Sequence, residues 1–314
     1  MSKKSLINKT DKIFVAGHKG MVGKSVIRKL RENSYNNVLV ESKENLDLLN
    51  FELVNKWFFK NKPDVVIISA AKVGGISANN NYPVEFLLNN LKIQNNLIES
   101  AWKTGSKRLL FLGSSCIYPK FAKQPIKEEE LLNGSLEITN QWYAIAKISG
   151  IKLCEALRSQ YQFDAISLMP TNLYGPGDNY SYSGSHVLPA LIRKFWEAKK
   201  NSSESVTCWG TGLAKREFLH VDDLAEAILF TLNNWDPSLS NSPRDSENKE
   251  LSYLNIGTGK DISTKELANL IANEIGFKGK IKWDTTKPDG TPRKQLDISR
   301  ILKLGWKPKI NLVD

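Results

Sequence analysis

Seven residues near the N-terminus, Gly17-His18-Lys19-Gly20-Met21-Val22-Gly23, restrict the fold of this chain more than any other stretch. They follow a continuous apolar run, Ile13-Phe14-Val15-Ala16, and lead into an amphipathic segment over 21–32. Glycines at this spacing allow a tight turn and let backbone approach a pyrophosphate, which then rests on the positive end of the following helix. Glycine-rich turns after strands are common, so the three glycines alone define nothing. The strand-turn-helix context is what makes a dinucleotide site the expectation.

The pattern downstream fits that start. Val38-Leu39-Val40, Val65-Val66-Ile67-Ile68, Leu109-Leu110-Phe111-Leu112 and 165–169 are further short apolar runs. Between them lie helical patterns over 51–60, from about Pro83 to Thr104, and over 140–161, with proline suiting a first helical turn and Gly105 a helix end. Continuous apolar strands are covered on both faces, which means a parallel sheet with crossover helices. The expected class is α/β, a doubly wound parallel Rossmann sheet with a smaller C-terminal α/β substrate-binding lobe. Residues 1–173 are assigned to the dinucleotide-binding domain, with segments near 216–232 and 251–260 returning to it, and 174–314 mainly to the lobe. Within the latter, 174–184 is turn-rich and helices are expected near 186–199, 222–233 and 264–275. A strand is expected near 253–256, and the polar stretch 234–250 reads as a flexible surface loop.

Composition removes several alternatives. No apolar run approaches the roughly 18 residues of a membrane span, and the N-terminus lacks the apolar core of a secretory signal. A cytoplasmic protein is expected. Three cysteines, widely spaced, exclude a disulfide framework, and three histidines form no ligand cluster, so no metal site is expected. The formal charge of +11 is spread along all 314 residues, without an arginine-rich arm or aromatic-basic repeat. It fits steering of an anionic small substrate better than nucleic-acid binding.

Chemistry concentrates in a few positions. Tyr143 and Lys147 are four apart in a helical segment and share one face. An ammonium beside a phenol stabilises phenolate and suits tyrosine to exchange a proton with a carbonyl. Ser114 and Ser115 end the preceding strand, where active sites of open α/β sheets gather. Serine, Tyr-Lys pair and glycine turn together indicate short-chain-dehydrogenase chemistry. Cys116 follows the serines and His186 opens a helix. Either could be structural, a small buried side chain or a helix cap, or the two could form a base and acid pair beside a ketone. At the second strand Glu41 favours the 2′-hydroxyl of NAD, whereas Lys43 favours the 2′-phosphate of NADP.

These residues, with their flanks, resemble the GDP-L-fucose synthases, GDP-4-keto-6-deoxy-D-mannose 3,5-epimerase/4-reductases of the extended short-chain dehydrogenase/reductase superfamily. The resemblance runs from about Ile13 to the last residue and rests on AGHKGMVG at 16–23, AAKVGGISANN at 70–80, LGSSCIYPK at 112–120, YAIAKISGIKLCE at 143–155, MPTNLYGPGDN at 169–179, REFLHVDD at 216–223 and KPDGTPRK at 287–294. It implies that Cys116 as base and His186 as acid epimerise C3 and C5. It further implies hydride delivery from NADPH to C4, with Tyr143 supplying the proton, Ser114 polarising the carbonyl and Lys147 supporting both. It places NADP(H) against 17–23, Lys43, Asp47, Leu112, Gly113, Ser115, Lys147, Pro170, Asn172, Leu173 and His186. Around the GDP-sugar it places Lys194, Trp209, Arg216 and Asp289. Arg216 can grip a diphosphate bidentately and Trp209 can wall the nucleotide. A homodimer is implied as well. The chain ends at Asp314, ahead of the final helix that members of the family carry. Two rival readings are an NDP-sugar 4-epimerase or dehydratase of the same superfamily and a non-catalytic nucleotide-sensing protein. The first does not need Cys116 and His186 as a pair, and the second tends to lose the tyrosine or lysine that this chain keeps.

Overall fold

The computed structural model describes residues 5–182 and 184–314. The Lys3-Lys4 doublet and Ser183 of the turn-rich segment lie outside the described residues. In chain order the elements are β1 (Ile13–Ala16), α1 (Met21–Glu32), β2 (Val38–Leu39), α2 (Phe51–Asn61), β3 (Val65–Ile68), α3 (Ile76–Asn81), α4 (Asn90–Lys103), β4 (Arg108–Leu112), α5 (Gln141–Tyr161), β5 (Ala165–Pro170) and β6 (Asn172–Tyr174). There follow α6 (Val187–Lys200), β7 (Ser205–Trp209), β8 (Lys215–His220), α7 (Val221–Asn234), β9 (Tyr253–Ile256), β10 (Asp261–Ser263), α8 (Thr264–Ile275), β11 (Lys280–Asp284), β12 (Arg293–Lys294) and α9 (Ser299–Leu304).

The apolar runs do what continuous burial predicts. β1, β3, β4, β5 and β9 are buried at every residue, and with β2 they form one parallel sheet in the order β2-β1-β3-β4-β5-β9. Both faces are covered: α1 packs on α7, while α2 packs on α4 and α4 on α5. The chain leaves β1 for β2 on one side and returns to β3 on the other. A crevice therefore opens beyond the C-terminal ends of β1 and β3, which is where open sheets bind ligands. Gly17 lies against the backbone of Ala70 at that point.

A second, smaller core lies outside the sheet and holds Leu188, Leu191 and Phe195 of α6, Val206 and Cys208 of β7, and Leu267, Ala268 and Ile271 of α8. β8 joins the two cores. Its Phe218 packs into the second and its neighbour Leu219 into the first, the alternation that a strand imposes. β8 also gathers three partners: β6 and β12 in parallel and β10 antiparallel.

Several elements depart from the sequence expectations. The helix expected from Pro83 contains a π-helical turn at Glu85–Asn89 before α4. The short helix α3 and the strands β6, β7, β8, β10, β11 and β12 carry no continuous apolar run; β7, for example, alternates buried and exposed residues. The stretch 234–250 is irregular, as expected, but it is tied down. Arg158 pairs with Asp236, the Ser246 amide donates to Glu129, and Arg300 Nε donates to the Arg244 carbonyl. Among the described residues no helix is long and apolar enough to cross a membrane.

Candidate active site

Backbone geometry explains the glycine turn. Gly17 adopts φ 91°, and a Cβ there would sit 2.6 Å from the Ala70 nitrogen. A Cβ on Gly23 would overlap the Gly17 carbonyl oxygen. Gly20 is the N-cap of α1 and no side chain caps that end, which leaves its amides directed outward. An uncapped helix N-terminus behind a turn without side chains is a cradle that fits a pyrophosphate. His18 and Lys19 lie on the rim of the same turn. At the ribose end Glu41 is engaged: the Trp57 indole donates to it at 3.0 Å and Asn45 at 3.4 Å. Lys43 is exposed and Asp47 caps the Leu49 amide. The Lys43 ammonium can thus meet a ribose phosphate, while the Glu41 carboxylate keeps acceptor capacity for a hydroxyl.

Leu112 ends β4, Gly113, Ser114 and Ser115 follow, and a 3-10 turn over Ser115–Ile117 carries Cys116. The Cys116 amide donates to Ser114 Oγ at 3.2 Å, which fixes the turn. α5 runs past this edge at close range because Gly150 has no side chain; a Cβ there would strike the Phe111 ring at 2.6 Å. That approach lets Lys147, almost fully buried, donate to the Leu112 carbonyl at 2.7 Å while its Nζ lies 5.8 Å from the Tyr143 ring centre. Pro170 ends β5; Asn172 and Leu173 lie on β6, and the Asn172 amide donates to the Glu217 carbonyl at 2.8 Å. His186 is the N-cap of α6. Its approach segment is held by the Gly75 amide donating to the Gly184 carbonyl at 3.3 Å, and a Cβ on Gly75 would lie 2.8 Å from Ser185 O.

Burial and local charge then set the protonation states. Burial pushes the Tyr143 phenol well up, the Cys116 charge adds to this, and Ser114 opposes it weakly. The phenol rises although Lys147 lies one helical turn away, because loss of water around a phenolate dominates. Tyr143 is thus held as a neutral phenol, the form that donates a proton. Burial alone brings Lys147 down to about 7. Burial would raise the Cys116 thiol, but Lys294, Ser114 and Arg216 together overcome it and hold the thiol below its ordinary value. Cys154, buried inside α5 among apolar neighbours, is pushed up to about 12. Burial lowers the His186 imidazole, Asp178 raises it, and Lys294 lowers it further.

On the substrate side, Lys194 donates to the Thr207 carbonyl and lies 5.6 Å from the Trp209 ring, with Lys287 at 5.8 Å. Trp209 is 56% exposed, an aromatic surface with two ammoniums beside it. Arg216 donates to the Asp289 carbonyl oxygen at 2.9 Å. The Asp289 carboxylate is occupied by the Thr211 amide and hydroxyl at 2.8 and 2.7 Å, so it ties the 285–292 loop to the turn after β7.

Four further side chains reach the site without having been singled out in the sequence. Lys294 lies 3.4 Å from Cys116 Sγ. Asp178 shares a field with His186 and has a buried, unpartnered Oδ2. Glu137 and Asn140 line the hollow beside Cys116. Lys294 and Asp178 sit inside the quoted segments 287–294 and 169–179, yet nothing local separates them from ordinary loop charges. Their partners are 178 and 8 residues away. Among the described residues no group of three or more His, Cys, Asp or Glu side chains is placed to hold a metal ion.

Comparison with known proteins bears on this geometry. Residues 13–242 match the NAD dependent epimerase/dehydratase family. The chain is 54% identical over 310 residues to GDP-L-fucose synthase 1 of Arabidopsis thaliana, covering 99% of this chain and 92% of that protein. Among solved structures, a GDP-6-OMe-4-keto-L-xylo-heptose reductase from C. jejuni superposes with a TM-score of 0.90 at 38% identity, covering 98% of this chain and 96% of the other. A GDP-L-fucose synthetase from Naegleria fowleri bound to NADP superposes with a TM-score of 0.84 at 26% identity, covering 99% and 93%.

Proposed function

The chain belongs to the NAD dependent epimerase/dehydratase family and, within it, to the GDP-L-fucose synthases, and on that premise we propose how its residues perform the reaction. It converts GDP-4-keto-6-deoxy-D-mannose to GDP-L-fucose, an NADP(H)-dependent oxidoreductase with epimerase activity. The observation that carries the reading is the position of Cys116. It is held below the ordinary thiol range on the same turn as Ser114 and against the same helix as Tyr143 and Lys147. A plain reductase has no use for a thiolate there.

Hydrogens on carbons beside a ketone are acidified by it, so C3 and C5 flank the one carbonyl at C4. The Cys116 thiolate takes such a proton, and His186, from the α6 end, returns one to the other face. Asp178 supports the protonated imidazole, and the diphosphate charge brought by the substrate acts in the same direction. Ser114 polarises the C4 carbonyl. Residues 17–23 would cradle NADPH and Lys43 would meet its 2′-phosphate, and the cofactor would supply hydride to C4. Tyr143, kept neutral by burial, gives its proton to the new alkoxide. Lys147 orients the ribose end of the cofactor and replenishes charge beside the phenol. Asp47, Leu112, Gly113, Ser115, Pro170, Asn172 and Leu173 line the remaining cofactor wall, and Lys194, Trp209 and Arg216 receive the GDP. Asp289 acts here by holding the loop over that pocket.

The same proposal divides the chain into a cofactor-binding part, 1–173 with 216–232 and 251–260, and a substrate lobe over most of 174–314. It places the enzyme in the cytoplasm, as a homodimer without nucleic-acid partners. Leu88, Trp142 and Ile145 are each more than a third exposed, apolar area that a second copy would cover. The test is incubation with GDP-4-keto-6-deoxy-D-mannose and NADPH, with the product's stereochemistry assigned. A product reduced at C4 but unchanged at C3 and C5 would leave a 4-reductase and refute the proposal.

A further inference from the structure

Lys294 is an ammonium that the fold has taken out of water: it is 9% exposed, and its Nζ hydrogen-bonds Cys116 Sγ at 3.4 Å. Burying a cation is costly unless a counter-charge meets it. Among the described residues no ion pair joins Lys294 to a carboxylate. Glu137, which lines the same hollow, is taken by Lys120 at 2.9 Å, and the adjacent Arg293 turns the other way to Asp261 at 2.5 Å. The sulfur is what remains to balance it.

The placement is built rather than incidental. β12 pairs Arg293 and Lys294 with Lys215 and Arg216 of β8. Beyond it the Ile126 amide donates to the Gln295 carbonyl, the Asp297 amide donates to the Ile126 carbonyl, and the Leu296 amide donates to the buried Glu217 carboxylate, each at 2.8 Å. The Gln295 amide also donates to Gln124 Oε1 at 3.0 Å. Lys294 is therefore strapped to β8 on one side and, on the other, to the 124–126 segment a few residues beyond the Cys116 turn. The other groups around the sulfur are Arg216 from β8, Tyr143 from α5, Glu137 and Asn140 ahead of α5, and Ser114 on its own turn, while His186 at the start of α6 lies in the field of Lys294 itself.

We propose that Lys294 is the positioning charge that keeps Cys116 a thiolate before substrate arrives, and so creates the epimerisation base. The ammonium makes loss of the thiol proton to solvent easier, and the sulfur then meets the sugar with a free electron pair for a C–H proton. This rests on the reading of Cys116 as base, but its test does not need the reaction.

The measurement is the pH dependence of Cys116 alkylation by iodoacetamide, followed by mass spectrometry on the full chain. Lys294→Met should move the midpoint upward by about one pH unit or more, a tenfold loss of labelling on the acid side, and Lys294→Gln should do the same. Lys294→Arg should hold it near the wild-type midpoint while fitting the site less well. NADPH binding should be unchanged in all three, and solvent deuterium exchange at C3 and C5 should fall about tenfold in the neutral variants. Midpoints equal to wild type in both Lys294→Met and Lys294→Gln overturn the proposal, including the case where GDP-sugar affinity alone is lost. A shifted midpoint in a chain whose wild type shows no exchange upholds the charge coupling of Lys294 to Cys116 and overturns the epimerase reading, and with it the role of that coupling in epimerisation.

Discussion

Three glycines make up the cofactor turn, and the structure says that they are not equivalent. Alanine at Gly17 meets two penalties. Its φ of 91° lies where L-residues pay about 1–2 kcal/mol. Its Cβ would also lie 2.6–2.9 Å from the Ala70 nitrogen, the Ala70 Cα and the Ser69 carbonyl carbon, all backbone at the end of β3. That backbone is fixed by the Ser69 amide donating to Ala16 at 3.0 Å, so overpacking adds about 1–3 kcal/mol. Alanine at Gly23 overlaps the Gly17 carbonyl and lies 2.7 Å from His18 Cα. The same overpacking range applies, less the roughly 1 kcal/mol that alanine gains over glycine inside a helix. Alanine at Gly20 meets neither: φ is −74° and the nearest atom is 3.4 Å away. Denaturant unfolding of the cofactor-free chain should therefore rank Gly17→Ala as the most damaging, by about 2–5 kcal/mol, then Gly23→Ala by up to about 2 kcal/mol, with Gly20→Ala within about 0.5 kcal/mol of wild type. NADPH titration should show at least a tenfold weaker Kd for Gly17→Ala, since about 1.4 kcal/mol is enough for that factor. Gly17→Ala as stable as Gly20→Ala would refute the reasoning, whatever happened to cofactor affinity.

Other outcomes follow from the site. Tyr143→Phe should abolish NADPH oxidation yet retain cofactor binding and deuterium exchange at C3 and C5, because only the proton donor to C4 is removed; turnover within twofold of wild type would sink that role. Cys116→Ser should lose the exchange while binding NADPH, and His186→Asn should give exchange with little inverted product, both read by NMR in heavy water. Lys43→Ala should weaken NADPH much more than NADH, and more at low salt than at high; equal effects on both cofactors would return the selection to Glu41. At neutral pH iodoacetamide should label Cys116 well ahead of Cys154, whose thiol is pushed up to about 12 and is buried.

What the sequence determined by itself is the part of the fold made by local pattern. Runs such as Val65–Ile68 admit little but a strand buried on both faces, and the sheet assembled from them is parallel. The glycine turn, the four-residue spacing of Tyr143 and Lys147, and the helix over 264–275 were legible because turn chemistry and helical period act within a few residues. The part outside the large sheet was harder to read. β8 is mostly polar, and it is a strand because β6, β10 and β12 each supply backbone partners from distant segments. Protonation was not legible either. Spacing places an ammonium one helical turn from a phenol, but the Tyr143 phenol is governed by burial under the packed sheet edge, which no spacing reveals. Asp289 looks like any exposed acid until Thr211 is seen to occupy it. Lys294 is the clearest case. Its partner lies 178 residues away and meets it only after β12 has paired with β8 and the strap over 124–126 has closed. Electrostatic energy depends on distance and on the water excluded between charges, and both are properties of the folded chain alone.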